Sequence, residues 1–175
     1  MNINRYGAIV VGVSAGGMDA LSRLFCLISN DFGLPIVVVQ HLHASSNGYL
    51  AEFLGNKTPL YVKEVEEKFK IQPGTIYLCP SNYHLLIEAD ETFALSIDEK
   101  VNHTRPSIDV LFESAARVWS QRLIGIILTG ANRDGAEGIR RIKACGGLTI
   151  AQDPATAESP FMPQAAIDTG CVDKV

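Results

Sequence analysis

The sequence predicts an α/β fold, a doubly wound and mostly parallel sheet with helices on both faces and one antiparallel hairpin. Three observations carry this. Nearly unbroken apolar runs read as strands buried on both faces, amphipathic segments at helical spacing lie between them, and glycine or proline marks most junctions. With 175 residues, 47% of them hydrophobic, the chain can bury one sizeable core, and a single domain over residues 1–175 is expected.

Taken in order, AIVVGV at residues 8–13 is the first buried strand, and MDALSRLFCLIS follows with Leu21, Leu24, Phe25 and Ile28 on one helical face. Gly33 and Pro35 punctuate before PIVVVQH, which completes a βαβ unit whose two strands should be neighbours. Residues 48–54 fit a short amphipathic helix, and a Pro-Gly turn introduces the strand in IQPGTIYLCP. HLLIEADETFALSID has two apolar-rich runs around Ala89, Asp90 and Glu91, so a hairpin attached to the parallel sheet is expected there. Pro106 and Ser107 open a helix that runs to Trp119, with Ile108, Leu111, Phe112 and Ala115 on its apolar face. RLIGIILTG is a further buried strand, GAEGIRRIKACGG a helix with a glycine stop, LTIAQD a strand and PQAAIDTG a short helix, after which CVDKV begins another strand.

Composition removes several function classes. Lys and Arg number 15 against 19 Asp and Glu, so the basic excess that drives phosphate-backbone binding is missing and nucleic acid is not an expected partner. The first residues lack a signal-peptide pattern and no apolar run is long enough to span a bilayer, so membrane insertion is not expected and a cytoplasmic location is. Cys26, Cys79, Cys145 and Cys171 are far apart with no CxxC pair, which suggests neither a metal site nor a disulfide scaffold.

In doubly wound sheets, ligands bind beyond the carboxyl ends of the strands, so chemistry is sought there. After the first strand stands Gly12-Val13-Ser14-Ala15-Gly16-Gly17, a G-x-S-x-G turn that would expose a nucleophilic hydroxyl beside amides able to hold a developing oxyanion. The turn alone equally fits a phosphate- or dinucleotide-binding loop. Against that stand Ser14 in place of the second glycine, and a second strand ending in Gln40-His41 without a ribose-binding acid. His41 falls on the same edge as Ser14 and is the candidate base; a polar strand-end residue bonded to backbone is the plainer alternative. His43 rivals it, whereas His84 and His103 have no spacing that ties them to Ser14.

The third candidate is Asp134, where a buried strand runs through Thr129-Gly130-Ala131-Asn132-Arg133 into a helix. It fits a carboxylate that orients an imidazole, and equally an ordinary helix N-cap. Asp19, Asp109 and Asp153 also lie near element ends, and of these only Asp153 follows a strand closely enough to compete.

Together GVSAGG, QHLH, PSNYHLLI, RPSIDVLFESAA, ILTGANRDGAEG and AQDPATAESPFMPQAA resemble, in that order, the catalytic domain of the chemotaxis protein-glutamate methylesterases. The resemblance implies that Ser14 is the nucleophile, His41 the base and Asp134 the third triad member, with amides near Ala15 and Ala131 holding the oxyanion. It implies hydrolysis of γ-methyl glutamyl esters on the cytoplasmic helices of chemoreceptors, with deamidation of receptor glutamines in many members, and no metal or organic cofactor. Two stretches depart from the family pattern: Ala131-Asn132 stands where Met-Gly is common, and Phe161 precedes Met162-Pro163 where glycine is usual. Family members usually carry an amino-terminal receiver domain, and these 175 residues do not include one. Regulation is therefore expected from a receiver on another chain or in a segment outside this sequence. A catalytically weak module that binds receptors or a sensory partner is the alternative, and a nucleotide-binding protein built on the glycine-rich turn ranks last.

Overall fold

The computed structural model describes residues 3–41 and 49–175. Strand β1 (Ala8–Val13) is buried along its length because its side chains enter two cores by turns: Ala8 and Val10 on one face, Ile9, Val11 and Val13 on the other. The second of these cores is closed by α1 (Gly17–Phe25) through Leu21 and Phe25, and by α2 (Tyr49–Gly55) through Leu50 and Leu54. Between those helices comes β2 (Ile36–Gln40), parallel to β1 with Val13 opposite Gln40. Strands β3 (Tyr61–Glu64) and β4 (Thr75–Leu78) extend the sheet outward.

The chain then forms the hairpin β5 (His84–Ile87) and β6 (Phe93–Ser96), followed by α3 (Ile108–Trp119). It returns on the other side of β1 with β7 (Leu123–Ile127), α4 (Ala136–Ala144), β8 (Leu148–Ala151) and α5 (Phe161–Ile167). The six-stranded sheet has the order β3-β4-β2-β1-β7-β8 with every neighbouring pair parallel. Winding changes direction at β1, so the crevice beyond its carboxyl end is the switch point. The first core is covered by α3, α4 and α5, which supply Phe112, Ile142 and Met162 among others.

Two local features differ from the sequence reading. The hairpin is not attached to the parallel sheet; it forms a two-stranded sheet of its own, packed on α3, where Ile87 N–H donates to Ser114 Oγ at 3.1 Å. Its buried residues Leu85, Ile87 and Phe93 need an apolar cover, and the first core provides it, with the Phe93 ring 4.8 Å from that of Tyr77. Strand β3 escaped the reading because an exposed edge strand reads as polar: Tyr61 and Glu64 face water, and only pairing with β4 defines the element. At the other edge the final residues begin to run beside β8, with Ala151 N–H donating to Lys174 O at 3.0 Å, in line with the expectation for CVDKV.

Candidate active site

Parallel pairing continues just past the strand ends and sets the site. Leu128 N–H donates to Gly12 O at 2.9 Å, Ser14 N–H to Thr129 O at 2.9 Å, and His41 N–H to Val13 O at 3.1 Å. Backbone register thus sets Ser14 between the exits of β2 and β7 before any side-chain contact is considered. The chain must then turn sharply into α1, and Gly16 makes this possible at φ 76°, a conformation costly for a side-chain-bearing residue. Among the described residues the N–H groups of Ala15 and Gly16 have no acceptor, and neither has that of Ala131 past β7. No side chain caps α1. These exposed donors suit an anion or a developing oxyanion.

Tight packing holds Ser14 from two sides. A methyl group on Gly130 would lie 2.5 Å from Met162 Cε and 2.9 Å from Ser14 Cβ, so α5 and the Ser14 turn meet across a bare backbone. Gly130 N–H donates to Ser159 O and Met162 N–H returns to Gly130 O, at 2.9 and 2.8 Å. Gln40, buried at the end of β2, donates its amide to Ser14 O at 2.9 Å and His41 O at 3.0 Å. It couples the two turns, a role its polar type at a strand end did not disclose.

His41 Nε2 lies 2.9 Å from Asp134 Oδ2. Since an ionised carboxylate only accepts, Nε2 carries the proton and Nδ1 keeps its lone pair. Asn132 Nδ2 approaches that nitrogen at 3.4 Å, while Asn132 Oδ1 accepts Asp134 N–H at 3.0 Å. Among the described residues no hydrogen bond joins Ser14 Oγ to the imidazole; catalytic contacts of this type commonly tighten only when substrate is bound.

Asp134 is wholly buried, yet it does not cap its own helix: Gly135 is the N-cap of α4, with no side-chain cap. Its carboxylate instead faces the start of α3, accepting from Ile108 N–H at 2.6 Å, Asp109 N–H at 3.3 Å and Ser107 Oγ at 2.8 Å. Asn102 Nδ2 and Thr104 Oγ1 donate as well, at 3.0 and 3.2 Å. Burial pushes this carboxyl up, but the hydrogen bonds from His41, Asn102, Ile108 and Ser107 outweigh it and hold it down at about 2. Asp134 is thus ionised at neutral pH.

The other candidates separate from this cluster. His84 is buried, accepts Ser107 N–H on Nδ1 at 3.2 Å and donates from Nε2 to Glu99 O at 3.0 Å, which occupies both nitrogens. His103 lies exposed in a turn and His43 lies outside the described residues. Asp153 caps its own short turn through Ala155 N–H at 2.9 Å, and Asp19 pairs with Arg23 on the surface at 2.8 Å. The sequence reading gave Asn102 and Thr104 no role and Ser107 only a place at the start of a helix; nothing local links them to residue 134. Among the described residues, no group of three or more His, Cys, Asp or Glu side chains is arranged to hold a metal, and no helix is long and apolar enough to cross a membrane.

Comparison with known proteins agrees with this fold. The family model for the CheB methylesterase matches residues 9–175. A Leptospira interrogans protein, provisionally named protein-glutamate methylesterase/protein-glutamine glutaminase, is 52% identical over 97% of this chain and 88% of its own length. A Mesorhizobium japonicum protein-glutamate methylesterase/protein-glutamine glutaminase is 43% identical over 93% of this chain, which spans 48% of that longer protein. The crystal structure of the Thermotoga maritima CheB methylesterase catalytic domain superposes with a TM-score of 0.94 at 34% identity, over 97% of this chain and 92% of that one.

Proposed function

The chain belongs to the CheB methylesterase family, and from that premise we propose that it hydrolyses γ-methyl glutamyl esters on the cytoplasmic helices of chemoreceptors through Ser14, His41 and Asp134. Ser14 Oγ attacks the ester carbonyl while His41 Nδ1 takes its proton, because Nε2 is committed to Asp134. The tetrahedral oxyanion forms beside the free amides of Ala15 and Ala131. Its collapse breaks the bond to the methoxy oxygen, which leaves as methanol with the proton from His41. Water, deprotonated by the same nitrogen, then attacks the acyl-serine, freeing the glutamate carboxylate and restoring the Ser14 hydroxyl. The same acyl-enzyme forms from a glutamine side chain with ammonia leaving, which makes deamidation the companion activity.

The observation that supports the reading most directly is the 2.9 Å contact between His41 and an ionised, buried Asp134 at the strand end adjoining Ser14. Methanol release from methylated chemoreceptor fragments, compared with the Ser14→Ala form, tests it. Turnover by the unmodified protein with a loss of about ten-thousandfold or more in the variant is expected. Equal release by both sinks the nucleophile assignment, and none from either folded protein favours a receptor-binding role.

A further inference from the structure

One buried carboxylate near the site has no part in that reaction. Asp109, in the first turn of α3 and 6% exposed, lies behind Asp134. Its Oδ1 accepts Gly138 N–H at the start of α4, at 2.7 Å, and its Oδ2 accepts Asn102 Nδ2, at 2.7 Å. The same Asn102 nitrogen donates to Asp134 Oδ1 at 3.0 Å, so its two protons serve two carboxylates. The arrangement is reciprocal: Asp134, just ahead of α4, sits on the N-terminus of α3, while Asp109, carried by α3, sits on the N-terminus of α4. Each helix start favours the charge borne by the other element.

We propose that Asp109, acting through Asn102, is a positioning residue for the reaction: a second carboxylate that holds Asp134 in its working orientation and adds its charge to the field that favours proton uptake by His41. The inference rests on the reading of Asp134 as the group that orients His41. Asn102 at φ 52° and His103 at φ 64° form a tight turn closed by Thr104 N–H to Val101 O at 2.9 Å. Asn tolerates the left-handed conformation better than most residues, and there its amide meets both carboxylates while Thr104 Oγ1 reaches Asp134. Capping alone would need one carboxylate per helix and no shared amide.

Burial, with the Asp134 charge beside it, pushes the Asp109 carboxyl up to about 6 against the hydrogen bonds from Gly138 and Asn102. Its charge is therefore present at neutral pH and lost in mild acid. Besides Asp134, the charged groups around it are Arg133 from the preceding loop, Glu137 and Arg140 from α4, and Asp168 from α5; together with Asn102 and Asp109 they line a polar cavity of about 370 Å³. His103 flanks Asn102 in the turn, and Glu113 lies one turn further along α3.

The test measures methanol release from a methylated receptor fragment between about pH 5 and pH 8 for the wild type, Asp109→Asn and Asn102→Gly. At the alkaline end, Asp109→Asn should lower kcat about tenfold with KM within about twofold, the scale of one lost hydrogen bond to a charged group. The ratio of wild type to variant should shrink towards one as Asp109 in the wild type becomes protonated. Asn102→Gly, which the left-handed turn accommodates, should lower kcat similarly and blunt the wild-type response in acid, because the bridge from Asp109 to Asp134 is gone. A ratio constant at every pH for Asp109→Asn, or undiminished kcat in Asn102→Gly, overturns the proposal. Should Asp109→Asn fail to melt cooperatively, Asn102→Gly decides alone. Ser14→Ala and Asp134→Asn are measured alongside: turnover retained by either puts the failure in the reading of the site itself.

Discussion

The starts of α3 and α4 are each closed by a carboxylate, from Asp134 and Asp109, whereas the start of α1 at the same end of the sheet is left to its bare amides. All three ends carry the partial positive charge of a helix N-terminus. In α3 and α4 that charge holds permanent anions in the interior, which makes Asp134 a fixed negative group behind His41. In α1, among the described residues, no anion accepts from the first amides, and the exposed Glu158 side chain lies against Gly16 without bonding to them, so they stay available to the oxyanion of the proposed reaction. The difference teaches that one sheet edge can use the same backbone feature both to stabilise a resident charge and, in the proposed reaction, to await a transient one.

Asp134→Asn tests the closed side most severely. It should lower kcat by about a thousand- to ten-thousandfold, because the amide presents the wrong partner to His41 Nε2. The same change leaves buried donors at the start of α3 without their anion, so a lower melting temperature is expected with it. A variant within tenfold of wild type would break the comparison.

On the open side, Gly130→Ala would push a methyl group against Met162 and Ser14. Overpacking of this kind costs about 1–3 kcal/mol in a urea titration, and displacement of Ser14 should slow its labelling by a serine-directed phosphonate. Labelling unchanged at reduced stability would show that the turn yields without moving the hydroxyl.

The pH dependence of stability separates the two carboxylates. Asp109 is held above its ordinary value of 3.8, so its contribution is fully present below that pH and is lost as pH rises through about 6. Asp134 is held below 3.8, so its contribution is present above that value and is lost as pH falls through about 2. In urea titrations at successive pH values, Asp109→Asn should remove the decline between those first two limits and keep the acid one. Parallel curves for variant and wild type across that window would contradict the assignment. The smallest effect is expected for Asp19→Asn, in the first turn of α1 but paired with Arg23 on the surface: within about 0.5 kcal/mol of wild type, with unchanged turnover. A large loss there would mean that α1 is not left to its backbone after all.

Much of this was legible in the chain. The apolar run of β1 and the glycines after it identify a buried strand and a sharp turn, and the βαβ spacing puts His41 on the same edge as Ser14, because consecutive parallel strands pair. The hairpin's existence was legible from its two apolar runs, but its separation from the main sheet was not, since only the cover offered by α3 decides it. Strand β3 carries too little apolar surface to announce itself. Asn102, Thr104 and Ser107 are ordinary loop residues until folding brings them against a carboxylate 27 to 32 positions away.

Hydrophobic periodicity and turn chemistry act over a few residues, so the sequence by itself determined the alternation of elements, the exposed serine turn and the set of residue types able to carry ester chemistry. Which aspartate holds the histidine, which helix each aspartate caps and how one asparagine joins the pair depend on groups distant along the chain. Those were decided only when packing enclosed the carboxylates and made every available donor necessary to keep them there.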